Sequence, residues 1–398
     1  MSFTRRDFLK AASLVALAPT VPAFLARVAR AAAPQPDARV LVVIQLDGGN
    51  DGINTVVPFK DEGYAKYRKA LRLPADRLIK LNDGLGFHPS LGGFGKLFDA
   101  GRLAIVQGVG YPNPNRSHFR SMAIWHTARL DQEGHTGPGW LGRALDATAR
   151  PAGGRPASLF VGTESAPAAL RGRRVGASAL SRLEDFLLTL DDPRPAFAAP
   201  GEGDDVAAFV RRSVLDAYAT AGRMSEVARA GGGGLRNPPT ALAERLGLIA
   251  RLLEAGSGAR IFYTLQAGYD THGGQLPIHA SLLAELSGAL EAFFAELTAA
   301  RLADRVAVLA FSEFGRRVEE NTSVGTDHGT AGPVFLAGAG VKGGLVGKAP
   351  TLLDLEDGDL KMGLDFRRVY AAVLEDWLRL PARAALGGAF EKLALFRA

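Results

Sequence analysis

The chain has 398 residues, of which 47% are hydrophobic, and its formal net charge at pH 7 is +6. That hydrophobic fraction is sufficient for one large domain or two, and it excludes an intrinsically disordered chain. The sequence contains no cysteine, so disulfides, thiolate metal ligands and a cysteine nucleophile are all excluded.

The first 31 residues have the features of a Tat signal peptide. The twin arginines Arg5 and Arg6 precede an apolar run at residues 11–25, and residues 29–31 offer a small-x-small cleavage site. We therefore expect the Tat translocase as a partner during export and a periplasmic or extracellular location. A basic amphipathic helix of the mature fold is the less favoured alternative, and an uncleaved signal that acts as an anchor stays open.

Removal of this segment changes the charge of the chain. It holds five of the 47 Lys and Arg residues and one of the 41 Asp and Glu residues, which leaves 42 and 40 and a net charge of +2. No basic stripe with interleaved aromatic residues follows, so nucleic acid is not an expected partner. No later stretch has about 18 consecutive apolar residues, so we expect no transmembrane span in the mature chain.

The rest of the chain alternates between strand-like and helix-like patterns. In chain order they predict a strand at 39–46, a helix at 89–100, a strand at 103–109, a helix at 117–128, a strand at 158–162, helices at 204–228 and 240–255, a strand at 260–266, a helix at 279–300, strands at 305–311 and 333–337, and a helix at 366–380. The strand–helix–strand order around 279–300 predicts a crossover, and therefore an α/β fold with a mostly parallel sheet. We expect one domain over residues 38–392, with a variable helical insert at about 163–255.

Acidic and histidine residues directly follow three of these strands. Asp47 and Asp51 come after the first strand, Asp270 and His272 after the strand at 260–266, and Glu313 after the strand at 305–311. In a mostly parallel sheet, ligands bind outside the carboxyl ends of the strands. The three clusters are therefore expected to converge, and their residue types indicate a metal-assisted hydrolase.

Each of these clusters also has a structural interpretation. Asp47 and Asp51 lie beside glycines and can approach a cation, or they can stabilise an Asp-Gly turn. Asp270 and His272 offer the mixed oxygen and nitrogen ligands that suit zinc or manganese. The alternative for that pair is a turn cap beside a surface histidine.

Two further groups have similar alternatives. Glu313 can bind a metal while Arg316 and Arg317 hold an anion, or Glu313 can form a solvated ion pair with an arginine. Asp327 and His328 lie between glycines before the strand at 333–337 and are candidate ligands or acid–base groups, with an ordinary polar loop as the alternative.

Ser117 lies at the predicted start of a helix, where its hydroxyl can act as a metal-activated nucleophile or as an ordinary N-cap. Arg116 and Arg120 can neutralise an anion held at the helix N-terminus, and His118 can assist or lie on the surface. The remaining histidines that we considered are assigned structural or peripheral roles: His88, His126 and His135.

The order of these motifs resembles a known family. After the twin-arginine start come LDGGNDG, NRSHF, GYDTHGGQ, FSEFGRR and TDHGTAGPVFLAG, and together they are similar to the bacterial secreted family called "domain of unknown function 1501" over roughly residues 38–380. That family is grouped with the alkaline phosphatase-like superfamily of phosphatases, sulfatases, phosphodiesterases and mutases. The resemblance implies a three-layer sandwich with helices on both faces of the sheet.

The resemblance also implies roles for individual residues. Asp47 matches the first metal-binding Asp of the superfamily, and Ser117 matches the nucleophile position. Asp270 and His272 match an Asp with a nearby His, although their spacing of two is shorter than usual. His328 matches the final His.

The sequence departs from the superfamily pattern at one pair. Glu313 and Phe314 stand where that pattern has an Asp-His pair, so one metal-binding His is replaced, and Asp51 or Asp327 are the candidates to compensate. The segment from Ser117 also lacks the proline of the formylglycine sulfatase motif, which argues against that chemistry although not against sulfate esters as substrates.

We therefore expect an exported hydrolase of phosphate or sulfate esters, acting on a small anionic ester or an envelope polymer. A divalent metal (Zn, Mn, Mg or Ca) would lower the pKa of Ser117 or of a water that serves as the nucleophile. Its expected ligands are Asp47, Asp270, His272, Glu313 and His328, and the expected charge-stabilising residues are Arg116, Arg120 and Arg316. The alternative, favoured by Phe314, is a non-catalytic cell-envelope binding or assembly protein with a degenerate metal site.

Overall fold

The computed structural model describes residues 39–131, 137–148, 156–176, 178–180 and 240–397. The proposed signal peptide, His135 and the helix predicted at 204–228 lie outside these residues.

The central strand, β1, spans Val40–Asp47, and all of its residues but the last are buried. Leu41 and Val43 face one hydrophobic core, whereas Val42 and Ile44 face a second core on the opposite side of the sheet. A near-continuous apolar run of this kind is typical of a parallel strand that is covered on both faces.

The other strands follow in chain order. They are β2 (Val56–Val57), β3 (Ile79–Lys80), β4 (Gly86–Phe87), β5 (Leu103–Gly110), β6 (Ser158–Val161), β7 (Ser178–Leu180), β8 (Ile261–Ala267), β9 (Val306–Phe311), β10 (Gly332–Gly338), β11 (Gly344–Val346), β12 (Leu355–Glu356), β13 (Asp359–Leu360) and β14 (Leu364–Asp365). The main sheet has nine strands, in the order β11-β5-β10-β9-β1-β8-β6-β7, with β14 also paired to β5.

Most of the main sheet is parallel. In β1, Val43 pairs with Tyr263 of β8 on one side and with Leu309 of β9 on the other, both in parallel register. The exception among the described strands of the main sheet is β10, which is antiparallel to both β5 and β9. Because β10 runs backwards, the loop that precedes it lies at the same edge as the loops that follow β1, β5, β8 and β9.

Helices cover both faces of the sheet. They are α1 (Gly52–Thr55), α2 (Glu62–Tyr67), α3 (Gly92–Asp99), α4 (His118–Thr127), α5 (Trp140–Asp146), α6 (Ala241–Glu254), α7 (Gln275–Ala299), α8 (Phe366–Ala372) and α9 (Ala382–Leu386), with a π-helical stretch at Val373–Leu378. Residues of α4, α5, α8 and α9 belong to one core, and residues of α3, α6 and α7 belong to the other. The predicted α/β class, with a mostly parallel sheet between two helical layers, is confirmed.

Helix α7 is long and apolar enough to cross a membrane by length and composition alone. Its apolar side chains, among them Leu283, Leu290 and Phe293, are fully or almost fully buried in the core beside the sheet. A core helix satisfies the same test, so this one helix is weak grounds for a membrane span.

Most element boundaries agree with the sequence patterns to within a few residues. The largest shift is in α7, which begins at Gln275 rather than at 279. Both described ends of the predicted insert at 163–255 pack into the main layers, because β7 pairs with β6 and α6 packs on α7 and β8.

Candidate metal site

Five loops meet at the carboxyl edge of the sheet, and the loop after β1 joins the others through the hydrogen bond from the Gly48 N–H to Glu313 at 3.1 Å. Those after β5, β8 and β9 bring His118, Asp270 and Glu313 together, and the loop before β10 brings His328 to the same place. The convergence predicted for strand ends about 200 residues apart is therefore present in the fold.

Three imidazoles surround one carboxylate oxygen. The Oδ1 atom of Asp270 lies 3.0 Å from Nε2 of His272, 3.0 Å from Nε2 of His328 and 3.4 Å from Nε2 of His118. His118, Asp270 and His328 place their ligand atoms within 4.8 Å of one another, and Nε2 of His272 adjoins them at 2.9 Å from Nε2 of His328.

The second nitrogen of each imidazole faces a hydrogen-bond acceptor. Nδ1 of His118 lies 2.7 Å from Oε1 of Glu313, Nδ1 of His272 lies 3.0 Å from Oδ1 of Asp327, and Nδ1 of His328 lies 2.7 Å from the carbonyl oxygen of Arg116. With a cation bound at the Nε2 atoms, these acceptors would hold a proton on each Nδ1. Metal-binding histidines are usually oriented by outer partners of this kind.

The donor set fits a zinc ion. Zinc bonds of about 2.0–2.1 Å in a tetrahedral site separate neighbouring ligand atoms by about 3.3 Å. The distances from Asp270 to the three Nε2 atoms and from His272 to His328 are 2.9–3.4 Å, and His118 and His328 place their ligand atoms within 4.8 Å of each other. Nε2 of His118 is shielded from solvent and makes no hydrogen bond among the described residues. Several lone pairs therefore converge at a point where a cation would satisfy them.

The site is also open to solvent. The side chains of His118 and Asp270 are 31% and 48% exposed, so a ligand can reach the cluster from outside. A site of this kind differs from a sealed structural metal site, which has no accessible position.

Arg316 holds the Asp270 carboxylate in place. Its Nη2 atom donates to Oδ1 of Asp270 at 2.6 Å, and its other donors bond the backbone carbonyls of Gly48, Gly49 and Thr326. Burial alone would raise the pKa of Asp270, but the hydrogen bonds from Arg316 and His328 lower it to about 2. Asp270 is thus ionised at neutral pH, and the Arg316 side chain is fully buried and so not accessible to a substrate.

Glu313 lies behind the imidazoles instead of among the four ligand atoms. Oε1 accepts from His118 and from the backbone N–H of Gly48 at 3.1 Å, while Oε2 accepts from Ser312. The hydrogen bond to Glu313 is the largest of the effects that raise the pKa of His118. The expected metal ligand is placed as an orienting partner, and His118, expected to assist catalysis, takes the ligand position.

The ring of Phe314 lies next to two of the imidazoles. It packs against those of His118 and His328, with centroids 4.9 and 5.0 Å away. Phe314 therefore forms a wall of the cluster and supplies no ligand atom. The signal that sequence reasoning missed was the neighbouring His in NRSHF, at the first turn of a helix that begins at the same sheet edge.

Asp47 lies at this edge but outside the cluster. Its Oδ1 accepts from the side-chain amide of Gln45 at 2.9 Å. The amide oxygen of the same Gln45 side chain accepts from Tyr263 and faces His126. Burial chiefly raises the pKa of Asp47, and the charge of Glu313 adds to that effect. The described contacts join Asp47 to Gln45 and not to an imidazole.

Asp51 is buried and its oxygens are fully engaged. It forms an ion pair with Arg68 at 2.6 Å, accepts from Gln275 and caps the N-terminus of α1. Burial would raise its pKa, but Arg68 lowers the pKa to about 2. The alternative interpretation for Asp51, a stabilised turn, matches this geometry.

Asp327 is an exposed partner of His272. Its Oδ1 contacts Nδ1 of His272 and accepts from Asn321, and these two contacts lower its pKa. Like Glu313, it orients an imidazole from the outside.

Ser117 is the N-cap of α4, but its side chain makes no capping hydrogen bond. It is exposed and directly precedes His118 in the chain. Arg120 makes no hydrogen bond to a described residue, whereas Arg116 pairs with Asp359. The cap position therefore leaves the Ser117 hydroxyl free for another role.

Two of the histidines assigned structural roles are shielded from solvent, His88 almost fully and His126 in part. Burial lowers the pKa of both His88 and His126 to about 4, so both are neutral at pH 7. His279 behaves in the same way, and its Nε2 lies 2.9 Å from the amide oxygen of Asn50.

Comparison with known proteins gives one family match. The family described as "Protein of unknown function (DUF1501)" matches residues 38–386. No curated protein matches the chain.

Solved structures show only distant similarity. The sulfatase PsFucS1 from Pseudoalteromonas sp. is 10% identical, with 91% of this chain and 74% of that chain covered and a TM-score of 0.41. Murine ectonucleotide pyrophosphatase/phosphodiesterase 5, solved with AMP, is 10% identical, with 87% and 96% covered and a TM-score of 0.39. The C-terminal periplasmic domain of EcEptC from Escherichia coli, solved with Zn, is 7% identical, with 76% and 73% covered and a TM-score of 0.38. Similarities at this level do not establish an activity.

Proposed function

The chain belongs to the DUF1501 family, and from the geometry of its site we propose that it is an exported, divalent-metal-dependent hydrolase of phosphate or sulfate esters. One observation carries the proposal. Three imidazole Nε2 atoms converge on the Asp270 carboxylate at the open edge of the sheet, and each imidazole is fixed by an acceptor on its other nitrogen.

The metal would be held by His118, Asp270 and His328, with His272 as the fourth ligand. This revises the ligand set expected from the sequence, because Glu313 and Asp327 now serve as orienting partners. Three imidazoles and one carboxylate favour zinc among the divalent metals considered. When bound, the metal would polarise the ester oxygen and favour a deprotonated nucleophile.

The protein's own groups would supply the rest of the chemistry. Ser117 directly precedes His118, and its hydroxyl makes no capping hydrogen bond, so it is the candidate nucleophile. The half-exposed Arg116 and Arg120 are available to a developing negative charge, whereas the buried Arg316 acts by fixing Asp270. Asp47 is a nearby carboxylate with one oxygen oriented by Gln45, available to accept a proton.

A second candidate function is non-catalytic binding or assembly in the cell envelope. Phe314 occupies the place of a metal ligand, and Asp51 is tied up in an ion pair with Arg68. Among the described residues a single cluster can hold a metal. A single-metal site can retain a ligand without turning it over, and this is the observation that favours the second function.

Ester turnover separates the two functions. The zinc-loaded protein would be assayed with aryl phosphate monoesters, phosphodiesters and sulfate esters, next to Ser117→Ala, Asp270→Asn and the control Ser281→Ala, which alters an exposed serine on α7. We expect turnover of at least one ester class that falls by 100-fold or more, about 3 kcal/mol, in both site variants and is unchanged in the control. Zinc binding without turnover of any ester would favour the binding function.

Export is a separate part of the proposal. We infer that residues 1–31 direct the chain to the Tat translocase and that residues 38–392 form one domain. Replacing Arg5 and Arg6 by lysine should retain the protein in the cytoplasm, as measured by cell fractionation. Equal export of this variant and the wild type would contradict the Tat assignment.

A further inference from the structure

A pair of arginines lies beside the histidine cluster and is joined by one buried carboxylate. Asp359, in β13, is 1% exposed. Its Oδ2 accepts from Nε of Arg116 at 2.8 Å and from Nη2 of the same guanidinium, and its Oδ1 lies 3.7 Å from Nε of Arg317. The sequence patterns offered Arg116, Arg316 and Arg317 for anion binding, but they did not single out Asp359.

The backbone ties this pair to the cluster. The carbonyl oxygen of Arg116 accepts from Nδ1 of His328, and the N–H of Arg317 donates to the carbonyl of Asp327. The residue after Asp359 is also attached, since the carbonyl of Leu360 accepts from Thr330. The backbones of both arginines are therefore attached to the loop that carries His328.

Each guanidinium retains unused donors. Arg116 engages Asp359 through Nε and Nη2, and Arg317 donates through Nη2 to the carbonyl of Asp357. The Nη1 atom of each makes no hydrogen bond to a described residue, and the two side chains are 41% and 35% exposed. An arginine presents its donors in a planar fork that matches tetrahedral oxyanions.

The charges around the pair leave room for an anion. Two guanidiniums face the one buried carboxylate of Asp359, while Asp357 is exposed and Asp327 is engaged by His272 and Asn321. Oδ1 of Asp359 is buried and has no hydrogen bond in the described part of the chain, so it holds the arginines by charge and not by complete bonding. A carboxylate placed in this way orients both guanidiniums and leaves some of their N–H groups unbonded.

We propose that Arg116 and Arg317, positioned by Asp359, form a clamp for the tetrahedral oxyanion of a phosphate or sulfate ester. The inference rests on the proposed function, because the clamp would hold the anionic end of the ester whose bond is cleaved at the histidine cluster. Asp359 is a positioning residue, and Arg317, paired with Arg116 instead of with its neighbour Arg316, is a substrate-binding residue.

Anion binding tests the clamp independently of turnover. Inorganic phosphate and inorganic sulfate would each be titrated calorimetrically into the zinc-loaded and the metal-free protein. The variants are Arg116→Gln, Arg317→Gln and Asp359→Asn, and the control is Arg368→Gln, which removes a surface arginine paired with Glu391. Arg116→Gln keeps the backbone carbonyl that holds His328, so its zinc content should be normal.

We expect each of the three variants to bind the preferred anion about tenfold more weakly, as is typical of a lost charge-assisted hydrogen bond, and the control to be unchanged. The stronger of the two anions identifies the ester class. Asp359→Asn changes a buried group, so the folding of this variant would be checked by circular dichroism. If Asp359→Asn is unstable, Arg317→Gln decides the test, because Arg317 is partly exposed.

Three results would overturn the clamp: no binding of either anion to the wild type, unchanged binding in both arginine variants, or an equal loss in Arg368→Gln. These failures are distinct from failure of the proposed function. Anion binding that depends on Arg317 in a protein without zinc or turnover would support the clamp and refute the hydrolase. Zinc-dependent turnover with arginine variants that bind anions normally would do the reverse.

Discussion

At the scale of single residues, Glu313 shows how one carboxylate can set the chemistry of another side chain. It pairs with Nδ1 of His118 and so turns the Nε2 atom of this imidazole toward the Asp270 carboxylate. We predict that Glu313→Gln weakens zinc affinity by about 10–100-fold, the usual effect of losing an outer partner of a metal-binding histidine. Competition with a chromophoric chelator measures this affinity.

The matched control is Glu291→Gln, which removes an exposed carboxylate paired with Lys96. Its zinc affinity should equal that of the wild type. Wild-type affinity in Glu313→Gln itself would mean that the buried carboxylate has no part in orienting the ligand.

The residue types at the site were predictable, but the role of each was not. Asp270, His272 and His328 were expected as ligands from their positions at strand ends, and the fold brings all three together. Spacing along a strand end cannot say which atom faces the centre, and so the sequence did not predict that Glu313 lies behind His118 while His118 faces Asp270. The decision depends on a packed ring, Phe314, whose position is fixed only by the tertiary fold.

At the scale of elements, the start of α1 depends on a buried ion pair. Asp51 accepts from the N–H groups of Ile53 and Asn54 and pairs with the fully buried Arg68. We predict that Asp51→Asn lowers the free energy of unfolding by roughly 3–5 kcal/mol, because it leaves a buried guanidinium without its counter-charge. Denaturant unfolding measures this loss.

Asp61→Asn is the comparison variant, since Asp61 also caps a helix but lies near the surface. Its loss should be about 1 kcal/mol or less, the size of a capping contribution. Similar losses in the two variants would show that Asp51 contributes as a cap alone.

Element positions were predictable from hydrophobic patterns, but the direction of one strand was not. The pattern at 333–337 identified β10 correctly, yet a buried strand has the same apolar run in either direction. Its antiparallel pairing with β5 and β9 is what carries Asp327 and His328 to the active edge from a loop that precedes a strand. The sequence predicted that Asp327 and His328 could act as ligands or acid–base groups, but it did not predict why their loop lies at this edge of the sheet.

At the scale of the whole molecule, buried neutral histidines make stability depend on pH. Burial lowers the pKa of His88, His126 and His279 to about 4, below the value of about 6.5 in an unfolded chain. Between these values the unfolded state binds more protons, so stability is complete above pH 6.5 and falls as the pH drops toward 4. We predict a melting temperature that declines through this window.

The variant His279→Gln isolates one contribution to this decline. It removes one buried titrating group, so its melting temperature should fall less steeply between pH 6.5 and 4 than that of the wild type, both measured with a chelator present. Identical slopes would contradict the assignment of His279 as a neutral group in the folded state.

The overall architecture was the part most accessible from the sequence. Apolar runs with helical segments between them predicted a covered, mostly parallel sheet, because each strand must bury both of its faces. The charge pairs that neutralise the buried ionised groups could not be predicted from the sequence. The Asp51–Arg68 pair joins residues 17 apart, and the Arg116–Asp359 pair joins residues 243 apart. No local pattern links such partners.

The most direct test of the account is a zinc titration of the wild type, His118→Gln, Asp270→Asn and His126→Gln. His126 lies two turns beyond His118 on α4, beside Gln45 and outside the cluster. We predict one zinc per chain in the wild type and in His126→Gln, and an affinity at least about 100-fold weaker in the other two variants, since losing a ligand exceeds the effect of losing its outer partner. A wild type that binds no zinc, or a His118→Gln variant that binds it equally tightly, would contradict the account.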